Sequence, residues 1–339
     1  MSLQAGAYQI TSPSFMEPEI LLQYSQASGF VDTLADGQLR TRLGEDDLLV
    51  YMKQLNLRTR TAAGQASANE LPSVDIAASM ISTPSYRYQV RSIYDHHDVA
   101  AGGNWGFSTV EAYRLGMRQA HFTLARDACL YGMNPQNGEG LLNAPGITKT
   151  NLPPDPNQNT TIRTYDNGAM AFLLAQLILG IKTSTLQLGI GKTFCILGPQ
   201  RDLGLLEYNV VQLVQFQRSG AGTTSTAGTL KEILMSNGDT LIWAYDDSLI
   251  GQGSNGSDAI LIVMPELTKP AGKSPVNVNE FAKLAPGNIV NTTMYCDMAA
   301  PREIISPLAG GATDFLTEWR TTSGWAVRPQ AVTLLSATY

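Results

Sequence analysis

Three cysteines and three histidines are all that 339 residues provide. Cys129, Cys195 and Cys296 are far apart, odd in number and each set among apolar neighbours. That pattern argues against a disulfide framework and predicts buried free thiols in a reducing compartment. So few histidines leave little choice of general base, and no Gly-x-Ser-x-Gly elbow accompanies them. Charge is scarce as well: Asp, Glu, Lys and Arg make up 15% of the chain, and the net charge is −6. Tight non-specific nucleic-acid binding needs many Lys and Arg against phosphates, so this balance argues against it. A surface poor in charge is expected where much of it is covered, copies of the same chain being one candidate cover.

Two further absences concern membranes. No Lys or Arg precedes Arg40, so the positive region that opens a secretion signal is lacking. The longest apolar run, Ala169 to Ile181, includes a Gln and a Gly. It falls short of the roughly 20 residues that a membrane span requires, which predicts a core helix. The expectation is a chain soluble in the cytoplasm when made.

The most informative stretch that is present runs from Ser108 to Thr148. Ser108 is a good N-cap and Glu111 follows three residues later, the spacing of a capping box. Val110, Tyr113, Met117, Ala120, Leu124 and Ala128 recur at steps of three and four, predicting one continuous apolar stripe. Gly132 stops the helix and Pro135 follows. The predicted rod is roughly 35 Å long, more than a globular domain usually holds. A turn-rich GLLNAPG segment comes after it.

Upstream, residues 1 to 44 read as an arm that orders against a partner. Asp46 to Leu57 is expected to begin with a short helix, and Arg58 to Asn69 reads as a projecting loop tip. Tyr86 to Tyr94 alternates like a strand. Two extended runs around a flexible tip predict a long two-stranded loop, which should lie on a neighbour because a hairpin alone is marginal in water. Downstream, the Pro- and Asn-rich stretch from Asn151 to Thr160 is the best internal boundary. Helices are expected at Tyr165–Gly180, Pro199–Gln217 and Leu230–Ser236, with Pro199 at its helix's first turn. Strands are expected at Lys192–Leu197, Thr240–Tyr245, Ala259–Met264, Asn291–Asp297, Phe315–Thr321 and Trp325–Leu335. Trp105 could anchor the loop base, whereas Trp243, Trp319 and Trp325 read as core.

Several fragments imitate chemistry. Asp95, His96, His97 and Asp98 offer four metal-ligand types in a row, yet strand neighbours point to opposite faces and no second cluster completes a site. A polar turn at the strand end is the better reading. His121, mid-helix, reads as packed. Gly189 to Thr193 (GIGKT) resembles the end of a phosphate loop but lacks the earlier Gly, the preceding strand and the following helix. Carboxylate pairs such as Asp246 with Asp247 read as solvated loops. Arg40, Arg42, Lys53, Arg58 and Arg60, interleaved with Glu45, Asp46 and Asp47, are the one cationic concentration and are expected to serve as inter-subunit contacts. No catalytic residue, cofactor site or metal site is expected.

The order of arm, two-stranded loop, long helix, GLLNAPG, α/β insertion and returning strands resembles the major capsid proteins of tailed bacteriophages, whose fold encapsulin shells share. DACLYGMNPQNGEGLLNAPG is similar to the end of their spine helix, and Gly324 to Val332 (GWAVRPQAV) to their late peripheral strand. The resemblance implies an α+β fold with an N-terminal arm over 1–45 and an extended loop over 46–107. It also implies a peripheral domain over 108–163 and 291–339 and an axial domain over 164–290. It implies pentamers and hexamers that tile an icosahedral shell around weakly contacted double-stranded DNA, in a virion assembled in the host cytoplasm. A portal is an implied partner, with decoration or scaffolding proteins as further ones, and no membrane. Some capsids of this fold form a Lys–Asn crosslink; Lys53 is the lysine of the loop region, nothing singles out a matching Asn, and none is expected. An encapsulin compartment is the nearest alternative, and a soluble α/β enzyme with a metal at Asp95–Asp98 a more distant one.

Overall fold

A computed structural model describes residues 28–59, 74–185, 191–208, 210–211, 224–236, 238–267 and 293–339. The first 27 residues of the expected arm and most of the loop tip lie outside them. Strand β1 (Leu49–Thr59) pairs antiparallel with the first half of β2 (Val74–Tyr94). The second half of β2 pairs with β11 (Thr313–Thr322), which pairs in turn with β10 (Arg302–Pro307). At about 3.3 Å per residue, the 21 residues of β2 run for about 70 Å and serve two structures in succession. The expected two-stranded loop is thus present. The short helix expected from Asp46 is not, because Leu49 to Leu55 finds a strand partner and pairing overrides the weak local preference.

Helix α1 (His96–Asn104) follows β2, and α2 (Thr109–Leu130) follows α1. The Ser108 hydroxyl caps α2 by accepting the Glu111 N–H at 3.4 Å, while the Glu111 carboxylate pairs with Arg114. Of the expected stripe, Met117 and Ala128 are buried, Val110, Ala120 and Leu124 are half-buried and Tyr113 is exposed; the helix is most deeply buried at its end, where Ala125, Cys129 and Leu130 join Ala128. The amino-terminal half rests one side on β2 and β11, and its flanks stay open.

A five-stranded sheet runs in the order β3 (Thr148–Asn151), β13 (Val332–Ala337), β8 (Asp258–Val263), β4 (Thr193–Gly198), β7 (Thr240–Tyr245). It is covered on both faces, so its central strands read as nearly unbroken apolar runs. Phe194, Ile196, Ile260, Ile262 and Leu335 meet helices α3 (Asn167–Ser184), α4 (Gln200–Tyr208) and α5 (Thr226–Ser236). Cys195, Leu197, Leu261, Val263 and Leu334 face the end of α2 together with Phe30 and Leu34. Two-residue strands β5 (Val210–Val211) and β6 (Thr224–Ser225) form a side ribbon, and β9 (Met294–Tyr295) pairs with β12 (Trp325–Ala326). The sheet draws β3 and β13 from segments on either side of the expected insertion.

Two expected elements are shorter than the sequence implies. The helix from Pro199 ends at Tyr208, and the β-branched pair Val210–Val211 enters β5; residues 212–217 lie outside the described set. Trp325 to Leu335 is broken by a 3-10 turn at Pro329–Ala331, since Pro has no N–H for a ladder. All three cysteines are buried and free, as expected. Among the described residues no helix is long and apolar enough to cross a membrane.

Candidate functional site

The two sequence fragments that stand out meet at one place, the carboxyl end of α2. A helix leaves its last four carbonyls without partners, and here both fragments supply them. The Gly324 N–H donates to the Ala128 carbonyl at 2.9 Å, Leu141 N–H to Cys129 at 3.0 Å and Leu142 N–H to Leu130 at 3.1 Å. The Asn143 side-chain amide donates to the Tyr131 carbonyl at 3.1 Å, and Gly140 N–H to the Gly324 carbonyl at 2.8 Å. Backbone this close leaves no room for side chains. A Cβ on Gly324 would sit 2.0 Å from the Cys129 carbonyl oxygen, and one on Gly140 2.3 Å from the Tyr131 carbonyl carbon. The Glu139 carboxylate closes the joint, accepting Tyr86 O–H at 2.8 Å, Ser323 O–H at 2.9 Å and Asn134 N–H at 3.1 Å.

Tyr86 lies on β2, so this knot fixes the root of the ribbon made by β1 and β2. Arg91 forks onto Asp314 at 2.8 and 2.9 Å, and the Arg87 guanidinium meets Glu318 at 2.5 Å, pinning β2 to β11. Beyond the root the ribbon runs on for eleven paired residues of β1, about 36 Å. Opposed residues share a face. Leu49, Tyr51 and Lys53 stand opposite Pro84, Ser82 and Met80, with Ile76 further along the same side. Tyr51, Met80 and Ile76 are 60%, 64% and 67% exposed. The other side holds Val50, Met52 and Ile81, half-buried, and Thr83, buried. A two-stranded ribbon that leaves a row of apolar side chains in water is marginal on its own.

The expected cationic cluster is dispersed along this path. Arg40 and Arg42 sit against Asp297 through the backbone: the Met298 N–H donates to the Arg40 carbonyl and the Arg42 N–H to Asp297 Oδ1, each at 2.8 Å. Tyr295 donates to the other Asp297 oxygen at 2.8 Å, and burial with that carboxylate raises the phenol's pKa. Lys53 is exposed among the apolar residues of the ribbon, and Arg58 falls at the opposite parity, across from Asp75. Arg60 lies outside the described residues. Glu45 pairs with Arg302 of its own chain at 3.2 Å.

The fragments that imitate chemistry have structural uses. The Asp95 carboxylate accepts His97 N–H at 2.8 Å and Asp98 N–H at 2.9 Å, and Asp98 accepts Asp95 N–H at 3.1 Å. This reciprocal box starts α1, so a helix begins where a polar turn was expected. Among the described residues no three His, Cys, Asp or Glu are placed to hold a metal. Gly191 and Lys192 lead into β4 as a turn into a core strand, while Gly189 and Ile190 lie outside the described residues. The connector at Asn151–Thr160 is tied down by buried Asp155, which accepts Asn157 and Asn159 N–H at 2.8 and 2.7 Å and Asp166 N–H at 3.1 Å. A cavity of about 190 Å³ between Tyr131, Asn143, Lys149 and Ser254 is smaller than the roughly 300 Å³ at which ligand pockets begin.

No protein-family model and no curated protein matches the sequence. Solved structures do match the fold over nearly its whole length. The capsid of Myoviridae phage XM1 is 10% identical, with 96% of each chain covered and a TM-score of 0.70. The capsid of cyanophage P-SCSP1u is 10% identical over 96% of this chain and 93% of that one, with a TM-score of 0.56. The capsid of a native GTA particle is 11% identical over 97% and 96%, also at 0.56.

Proposed function

We propose that this chain, which has the α+β fold of tailed-phage capsid proteins, is itself a major capsid protein that assembles into an icosahedral shell around double-stranded DNA. The observation that carries the reading is the ribbon. It is anchored firmly at its root, projects from the body and leaves Tyr51, Met80 and Ile76 uncovered, which is how an element is built when a neighbouring copy completes it. Pentamers and hexamers close around the axial domain, over 164–290 with β3 and β13 added to its sheet. The peripheral domain, over 108–163 and 291–339, carries α2, and the arm (1–45) and extended loop (46–107) reach adjacent copies. Arg40, Arg42, Lys53, Arg58 and Arg60 contribute charge to those contacts. The role is structural and not enzymatic. An acidic wall lets packaged DNA slide without being gripped. The protein's place is the virion, assembled in the host cytoplasm, with a portal and a decoration or scaffolding protein as further partners.

Expression of the chain alone, followed by electron microscopy of the sedimentable fraction, tests this. Closed polyhedral shells, or free hexamers and pentamers, are expected, and the shell diameter separates a phage head from a small compartment. A monodisperse monomer under every assembly condition would sink the reading.

A further inference from the structure

Asp202 lies in the first turn of α4 and is fully buried, and neither of its carboxylate oxygens has a hydrogen-bond donor among the described residues. A bare buried carboxylate costs several kcal/mol, so the group must be neutralised in place. Its neighbour is a second buried acid, Asp258 at the start of β8, within hydrogen-bonding reach. The two acids differ in what they receive. Asp258 takes the Arg201 guanidinium through both oxygens at 2.6 to 2.8 Å and the Gly251 N–H at 2.9 Å. Those donors occupy both Asp258 oxygens, whereas Asp202 receives none. Among the described residues, the other charged groups acting on Asp202 are Arg201, whose guanidinium lies 5.0 Å from the Tyr339 ring, and Asp247, which accepts the Gln200 N–H at 2.6 Å. None of them donates to Asp202.

We propose that Asp202 and Asp258 share one proton, carried by Asp202 and donated to Asp258, and that its loss to water removes the tie that Asp202 adds to the Arg201 fork between the first turn of α4 and β8, so that this turn opens more often. The acid pair is a proton-dependent latch between the helix layer and the sheet, and it stands whatever the chain assembles into. Burial beside Asp258 pushes the Asp202 carboxyl up to about 7. A raised carboxyl adds stability in acid and loses it as pH climbs toward that value, after which stability is level. The latch is therefore closed at pH 5 and released by pH 8.

The test uses the full chain in its native assembly, as wild type and Asp202→Asn, which keeps a donor toward Asp258 but cannot ionise. Amide exchange of residues 200–208, corrected for intrinsic base catalysis, is followed from pH 5 to pH 8. Opening of the wild type is expected to rise about a hundredfold over two pH units, and that of the variant to stay flat. Equal slopes in the two proteins, or a wild type whose α4 protection does not change, would overturn the proposal. A second readout does not depend on the variant folding. The infrared band of a protonated carboxyl should be present in the wild type at pH 6 and gone at pH 8.5, and its absence at pH 6 would refute the shared proton.

Discussion

At the scale of single residues, the knot at the end of α2 makes the sharpest claim. Gly324→Ala forces a Cβ to within 2.0 Å of a carbonyl oxygen whose own position is set by Leu141 N–H. No flexible side chain can yield there, so a loss of more than about 3 kcal/mol is expected in thermal or denaturant unfolding. Gly116 is the matched control, because a Cβ there meets nothing within 4 Å on an exposed turn of α2. Gly116→Ala should stabilise by about 0.5–1 kcal/mol; if both substitutions behave alike, the close-approach argument fails. His121 makes a claim about pH. Its ring lies 4.5 Å from Trp319, its Nε2 has no partner among the described residues, and burial lowers its pKa. A depressed imidazole leaves stability intact above its ordinary range and removes it as pH falls below about 6.5. His121→Phe should flatten that acid-side slope, as read from unfolding midpoints between pH 4.5 and 7. The sign is opposite to that of Asp202, so the two together narrow the stable range from both sides.

At the scale of elements, the ribbon separates folding from assembly. Met80→Glu places a charge on its exposed apolar side, opposite Lys53, without touching the core. The soluble chain should unfold within about 0.5 kcal/mol of wild type, while shell yield by sedimentation falls at least tenfold. Ala77→Glu, exposed at the opposite parity, should assemble normally; equal failure of both would mean that the apolar side is not the contact. Much of this architecture was legible in the sequence because it rests on local rules. Ser108 and Gly132 bracket α2, alternation marks Tyr86 to Tyr94, and apolar runs mark β4, β7 and β8. What was not legible depends on partners distant in sequence. The Leu49 stretch becomes a strand only because β2 lies beside it. Arg302–Pro307 contains a Pro and too little alternation to stand out, yet β11 recruits it as an edge. Thr148–Asn151 is polar throughout and joins the five-stranded sheet only through parallel pairing with β13. Arg40, Arg42, Lys53 and Arg58 are close in sequence but divided in space, since a strand spreads its neighbours over two faces and about 3.3 Å per residue.

At the scale of the whole molecule, the shell proposed above is expected to hold without covalent bonds. In that shell each ribbon laid on a neighbour would add a modest term, and simultaneous engagement would multiply them. A Lys–Asn weld, as in some capsids of this fold, needs an amine shielded from water so that it is neutral and nucleophilic. Lys53 offers the reverse: it is exposed, opposite Met80, and forms no ion pair among the described residues. Among the described residues the buried lysines, Lys182 and Lys192, lie beside Asp239 where α3 meets the starts of β4 and β7, and Asp239 accepts both the Lys182 ammonium and the Lys192 N–H. Neither can reach another copy without unfolding that core. Mature particles boiled in detergent should therefore run as one band near 36.5 kDa. A ladder of multimers that survives boiling and reductant would show a weld that these side chains do not account for. Reductant matters to the reading, because the three buried thiols become accessible once the chain unfolds and could form artefactual dimers.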